Sequence, residues 1–204
     1  MAILKISFLF ILLIGFSAVY AQDSALDKIY LEIITEYEKI STFQADFTQK
    51  NYWAEPDISQ ESTGKIIYNS DKLLLSYSDP EGQKMILDST FVTLYDPNSN
   101  QVMITAKAEQ NIKPIELIKQ YWNNSEKKFL ENENGFNKIV LKTDDGQKII
   151  LQIKKNLIFF LELSDFENNS VSYYFKNIVT NIAIPDSIFI FEILEDANVI
   201  DTRE

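Results

Sequence analysis

Cysteine and histidine are both missing from the 204 residues, and glycine and proline are scarce at five each. Without cysteine there is no disulfide framework, no thiolate nucleophile and no thiolate-bound metal. Without histidine there is no Ser-His-Asp triad, no imidazole-bound zinc and no imidazole acid or base near neutral pH. Basic residues are also outnumbered, 19 Lys plus Arg against 30 Asp plus Glu, for a formal charge of −11. That balance argues against nucleic acid, whose binding is dominated by phosphate neutralisation with Lys and Arg. What is present is apolar and aromatic: 46% hydrophobic residues and 13% Phe, Trp and Tyr. That content fills a core and excludes wholesale disorder. The length suits one domain. No enzyme chemistry, metal or cofactor is expected.

Residues 1–21 carry the pattern of an export signal. Lys5 supplies a basic start, Phe8 to Phe16 an apolar run, and Val19 and Ala21 the small residues before a cleavage site after Ala21. The run is too short, and too abruptly followed by Gln22-Asp23-Ser24, to span a bilayer. No cysteine follows it, so the mature chain carries no lipid of its own. The expected product is an exported, acidic protein with a single domain over residues 22–204.

One strong helix opens that domain. Ser24 suits an N-cap. Leu26, Ile29, Tyr30, Ile33, Ile34, Tyr37 and Ile40 recur at helical spacing as one apolar stripe. Strand signals follow. Phe43, Ala45 and Phe47 alternate with polar neighbours, and short apolar runs recur near 65–68, 72–77, 84–88, 91–95 and 101–105. Turn chemistry separates them, as in Asn69-Ser70-Asp71 and Asp79-Pro80-Glu81-Gly82. A second helix is predicted from Pro114, with Ile115, Ile118, Tyr121 and Trp122 on one side and a further turn or two over 125–130. Strands resume at 136–143, 147–154, 157–165 and 171–180, and a last one is predicted at 189–193. Asp144-Asp145-Gly146 reads as a hairpin turn. The fold class is α+β, mostly β. About ten strands with hairpin-length loops imply a long antiparallel meander that curls, with two amphipathic helices to cover one face.

Several segments resemble the outer-membrane lipoprotein carrier proteins (the LolA family). They are Phe43-Gln44-Ala45-Asp46-Phe47-Thr48-Gln49 after the first helix, Gly64-Lys65-Ile66-Ile67-Tyr68, Leu73-Leu74-Leu75-Ser76-Tyr77 with Asp79-Pro80, and Asp88 to Pro97. Phe189-Ile190-Phe191 and Val199-Ile200-Asp201 are similar to the family's terminus. The resemblance implies an incomplete antiparallel β-barrel of about 10–11 strands, its concave face lidded by helices. It also implies a monomeric periplasmic carrier. Such a carrier takes acylated lipoproteins from an inner-membrane ABC lipoprotein-releasing complex to an outer-membrane acceptor, without a cofactor. The chain departs from the family at several points. Asn69-Ser70 stands where the family has an Arg-Pro pair whose Arg latches the empty lid. Leu75 and Thr93 replace expected aromatics, and Leu194 and Asp196 replace a Pro and a Gly.

A carrier of this kind must shelter hydrocarbon. A chain of about 15 methylenes, at about 0.8 kcal/mol each, costs about 12 kcal/mol to expose to water. By alternation the cavity candidates are Phe43, Phe47, Leu73, Leu75, Tyr77, Leu161, Leu163, Tyr173 and Phe175, and the lid candidates are Ile29, Ile33, Ile115 and Ile118. Taken singly, each is more often an ordinary core residue than a cargo contact. An alternative on the same fold is a lipid or lipoprotein sensor, or a carrier of another envelope lipid. An envelope-lipid enzyme would need a carboxylate pair or a metal, for which Asp46 and Asp88 are the strand-borne acids to test. Asp96-Pro97-Asn98-Ser99-Asn100 starts like a calcium loop but has Gln101 where Gly is needed and Lys107 where Glu is needed.

Overall fold

The computed structural model describes residues 25–106, 114–131 and 135–203. The predicted signal segment and Ser24 lie outside the described residues. The first helix, α1, covers 25–37 and closes with tightened turns, Lys39 N–H donating to Glu36 O and Ile40 N–H to Tyr37 O. The second helix, α2, is Pro114–Asn123, with proline in its first turn and Glu116 beside the positive end of the helix dipole. Among the described residues no helix is long and apolar enough to cross a membrane.

All strands join one sheet. They are β1 (Thr42–Trp53), β2 (Ile58–Asn69), β3 (Lys72–Asp79), β4 (Lys84–Leu87), β5 (Phe91–Asp96), β6 (Gln101–Ala106), β7 (Ser125–Glu131), β8 (Asn137–Thr143), β9 (Lys148–Lys154), β10 (Leu157–Ser164), β11 (Ser170–Thr180) and β12 (Asn198–Thr202). The order is β12-β6-β5-β4-β3-β2-β1-β11-β10-β9-β8-β7, an open, curled sheet of 12 strands that does not close into a barrel. Every pairing is antiparallel except β12 on β6. The turns obey their chemistry. Gly146 takes φ +89° between β8 and β9, and Lys155 and Asn156 both adopt positive φ in the two-residue turn before β10. Asp165 Oδ1 accepts from the N–H groups of Glu167 and Asn169, each at 2.9 Å, which fixes the β10–β11 turn.

Two expectations fail. Residues 125–131 form strand β7 rather than further helical turns, paired along their length with β8. Residues 189–193 are not a strand. Asp186–Phe189 is a 3₁₀ turn, and the final strand is β12 instead. The reason is packing: Phe189 sits buried against Leu74 and Ile86 on the outer face of the sheet, flanked by Ile67, Ile184, Ile188 and Phe191. A side chain plugged into a sheet face stabilises the segment as a cover, with its backbone running over the sheet instead of joining it.

The main core lies on the other face. Leu26 and Ile33 from α1 and Ile118 and Trp122 from α2 pack on Ile139, Leu141, Ile149, Leu151, Ile153 and Ile158. Each such side chain contributes about 1.5–3 kcal/mol of burial. In β9 the buried residues alternate with half-buried or exposed ones, so a single face is covered by the helices.

Candidate functional site

Residues directly opposite one another in a sheet share a face. Phe47 stands opposite Phe175 on one side and Gly64 on the other, and Gly64 stands opposite Tyr77. Gln49 pairs with Tyr173, Tyr173 with Leu161, Leu161 with Leu151 and Leu151 with Ile139. Leu163 pairs with Ile149, Leu75 with Ile66, and Leu73 with Tyr68, itself opposite Phe43. Unbroken alternation along β1, paired without a shift to β2, keeps Phe43 and Phe47 on one side of the sheet, while β11 takes up an extra residue opposite Gln44 to Asp46. Every cavity candidate therefore lies on one face, the one that carries the helices.

That face is divided. Leu161 and Leu163 pack against the helix-bound core, as do Ile29, Ile33 and Ile118. Two contacts join the helical segments on this half and a third ties α1 to β10. Tyr30 stacks on Trp122 at 4.5 Å and 14°, Lys119 reaches Glu38 at 3.7 Å, and Tyr37 Oη accepts the Ile158 N–H at 3.2 Å. Burial pushes the Tyr37 phenol up to about 12. The Ile115 side chain lies outside the described residues.

The remaining candidates stand outside that cluster, the aromatic ones forming a row along the central strands with Leu73 and Leu75 on the same face. Phe43 meets Phe175 edge-on at 6.2 Å, Phe175 stacks with Tyr173 at 6.1 Å, and Phe47 meets Tyr173 at 6.0 Å and Tyr77 at 5.3 Å. Phe47 and Leu75 are buried, whereas Phe43, Leu73, Tyr77, Tyr173 and Phe175 are half-buried. Burial, with Tyr77 nearby, pushes Tyr173 up to about 12, and burial also raises Tyr77. Gly64 is where the row closes on the β3 backbone. A Cβ there would collide with the Ser76 carbonyl and come within 2.9 Å of Phe47 Cζ.

Polar groups on this face were not anticipated. Tyr77 Oη donates to Gln49 Oε1 at 2.9 Å, Gln49 Nε2 donates to Asn51 Oδ1 at 3.1 Å, and Ser62, opposite Gln49, is buried. The signal was available, since Gln49 and Asn51 continue the alternation of Phe43, Ala45 and Phe47. Beside Asn51 opens a groove of about 350 Å³, lined by Ile149, Leu163, Val171 and Tyr121 of α2 together with polar residues such as Lys148 and Asp165. A wider groove of about 620 Å³ flanks α1, but mostly charged residues line it, which suits water better than hydrocarbon. Ala54 N–H donates to Asn169 Oδ1 at 3.0 Å and ties the β1–β2 and β10–β11 hairpins together at the first groove's rim.

Residues 38–192 match the model of the family described as outer membrane lipoprotein carrier protein LolA. The chain belongs to that family. The outer-membrane lipoprotein carrier protein of Pseudomonas putida (strain GB-1) is 28% identical over 172 residues, covering 80% of this chain and 83% of the relative. The one from Francisella tularensis subsp. novicida (strain U112) is 25% identical over 204 residues, covering 96% and 95%. Among solved structures, an uncharacterized conserved protein from Thermus thermophilus shares the fold with a TM-score of 0.55 at 11% identity, covering 87% of this chain and 99% of its own.

In this member of the lipoprotein carrier family, Asn69-Ser70, where the resemblance implies an Arg-Pro pair, forms part of a turn. Asn69 ends β2 and Ser70 takes φ +57° in the β2–β3 turn. Ser70 N–H donates to Ser41 O at 3.2 Å, so the turn is tied to the link between α1 and β1. Among the described residues neither side chain bonds to a helix; Ser70 Oγ donates to Asn69 Oδ1 at 3.3 Å. The two acids considered for chemistry have structural partners, and Asp88 lies in the turn between β4 and β5 rather than on a strand. Asp46 lies on the face opposite Phe47, bonded by Asn177 Nδ2 at 2.7 Å with Lys65 at 3.8 Å. Asp88 Oδ1 accepts from the Thr90 and Phe91 N–H groups, each at 2.7 Å. Asp96 accepts from Ser99 Oγ at 2.7 Å and from Asn98 N–H at 3.0 Å, which hold its carboxyl below the usual range. Among the described residues no group of three acids is placed to hold a metal.

Proposed function

We propose that this protein is a periplasmic, non-enzymatic carrier that takes up the acyl chains of lipoproteins on the aromatic row and shuttles them from the inner to the outer membrane. One observation supports the reading above the others. The helices are packed down on the β7–β10 half of the sheet, while Phe43, Leu73, Tyr77, Tyr173 and Phe175 stay half-buried outside that core on the same face. A half-buried aromatic surface beside a helix pair can gain contacts from a hydrocarbon guest that a filled core cannot. Exchange with a membrane is then a contest between two apolar environments, which keeps cargo transferable despite the roughly 12 kcal/mol cost of exposing each chain to water. The acidic surface, at −11 overall, suits docking to basic patches on donor and acceptor proteins at the two membranes.

The test is release. Purified mature protein is added to inner-membrane vesicles containing an ABC lipoprotein-releasing complex and a triacylated lipoprotein. A soluble one-to-one complex of carrier and lipoprotein is the expected product. Lipoprotein that stays in the vesicles, with the protein shown to be folded, would defeat the reading.

A further inference from the structure

The helix-facing side of β1 changes character along its length: Phe43, Ala45 and Phe47 are followed in phase by Gln49 and Asn51. Both side chains are half-buried and stand opposite Ser62 and Gln60, so their amide hydrogens can be reached from outside the core. The bonds present use only part of what these amides offer. With the Tyr77 hydroxyl donating to Gln49 Oε1 and Gln49 donating to Asn51 Oδ1, the second N–H of Gln49 and both of Asn51 have no partner among the described residues. Gln49 stands opposite Tyr173 at the end of the aromatic row, and Asn51, next in phase, lines the 350 Å³ groove. A ligand reaching both regions needs a hydrocarbon tail for the row and acceptor oxygens, without donors, at its head.

We propose that Gln49 and Asn51 form a subsite for the ester carbonyls of a diacylglyceryl group, which fixes the direction of the cargo. In this arrangement, which rests on the carrier reading, the tails run over Phe47 and Tyr173 towards Phe43. The ester carbonyls accept from the two amides, and the polar remainder of the cargo leaves through the groove past Tyr121. Tyr77 is a positioning residue, because its hydroxyl holds Gln49 so that the remaining N–H groups face the guest.

The experiment compares two peptides that differ only in the lipid linkage: a dipalmitoylglyceryl-cysteine peptide and its dihexadecyl-ether counterpart, which lacks the carbonyls. The intact mature protein should bind the ester about tenfold more tightly, as expected for one or two hydrogen bonds. The Gln49→Met, Asn51→Leu double variant should bind the two alike, near the wild-type affinity for the ether. Asn51→Ala alone, a milder change, should show a reduced preference. Equal affinities in the wild type, or a preference that survives in a folded double variant, would overturn the subsite while leaving the carrier reading standing. If the wild type binds neither peptide, the carrier reading falls and the subsite with it.

Discussion

Truncating Phe175 separates a cargo surface from a core. The ring stacks on Tyr173 at 6.1 Å and meets Phe43 at 6.2 Å, yet it is only half-buried and lies outside the helix-bound cluster. Aromatic pairs contribute about 0.5–1.5 kcal/mol each, so Phe175→Ala should destabilise the protein by about 1–2 kcal/mol. Leu141 is the control, 1% exposed within the cluster that the helices seal. Leu141→Ala should cost about 2–5 kcal/mol, because the cavity it leaves cannot collapse fully. Binding should show the reverse order. If a guest covers the exposed half of the Phe175 ring, its loss removes about 1–1.5 kcal/mol, roughly tenfold in affinity, while Leu141→Ala leaves affinity unchanged. Urea denaturation at equal m gives the stabilities, and titration with a fluorescent triacylated peptide gives the affinities. The division of the face would be refuted if Phe175→Ala cost as much stability as Leu141→Ala and bound the peptide like wild type.

Gly64→Ala should destabilise by about 1–3 kcal/mol and displace Phe47, since the added methyl meets both the β3 backbone and that ring; an unchanged urea midpoint would contradict it. Trp122→Ala should cost about 3–5 kcal/mol through loss of a buried ring and its stack with Tyr30, leaving only the emission of Trp53, which is 41% exposed; retained stability would count against the seating of α2. Alkaline pH should also weaken the fold. Tyr37 and Tyr173 titrate near 12 when folded and near 10 when unfolded, so their stabilising effect is complete below pH 10 and is lost as pH rises to 12. Each accounts for up to about 2–3 kcal/mol, so the urea midpoint should fall between pH 10 and 11.5 and fall less in Tyr37→Phe; ordinary titration of every tyrosine near 10 would refute this.

Much of this architecture could be read from residue order because the rules involved are local. Alternation from Phe43 to Phe47 and from Leu73 to Tyr77 fixed which side chains share a face, and Asp144-Asp145-Gly146 supplied a turn with the required positive φ. What failed depended on distant partners. Ser125–Glu131 carries few apolar side chains, and its strand state comes from pairing with β8. The segment around Phe189 has a strand-like composition, but the pocket at Leu74 and Ile86 takes its aromatic ring. The sharing of one face between packed helices and an aromatic row was likewise hidden. Periodicity tells which side a residue points to and says nothing of how far along the sheet a helix settles. Gln49 and Asn51 kept the right phase but the wrong polarity for an apolar-pattern search, although that mismatch is the feature that sets them apart.

Native mass spectrometry of the full-length protein, expressed and purified from its own host without detergent, tests the carrier reading most directly. A population heavier than the apo chain, which yields a triacylated peptide on digestion, is the predicted result. Repeated recovery of the bare polypeptide, from cells that are exporting lipoproteins, would contradict it.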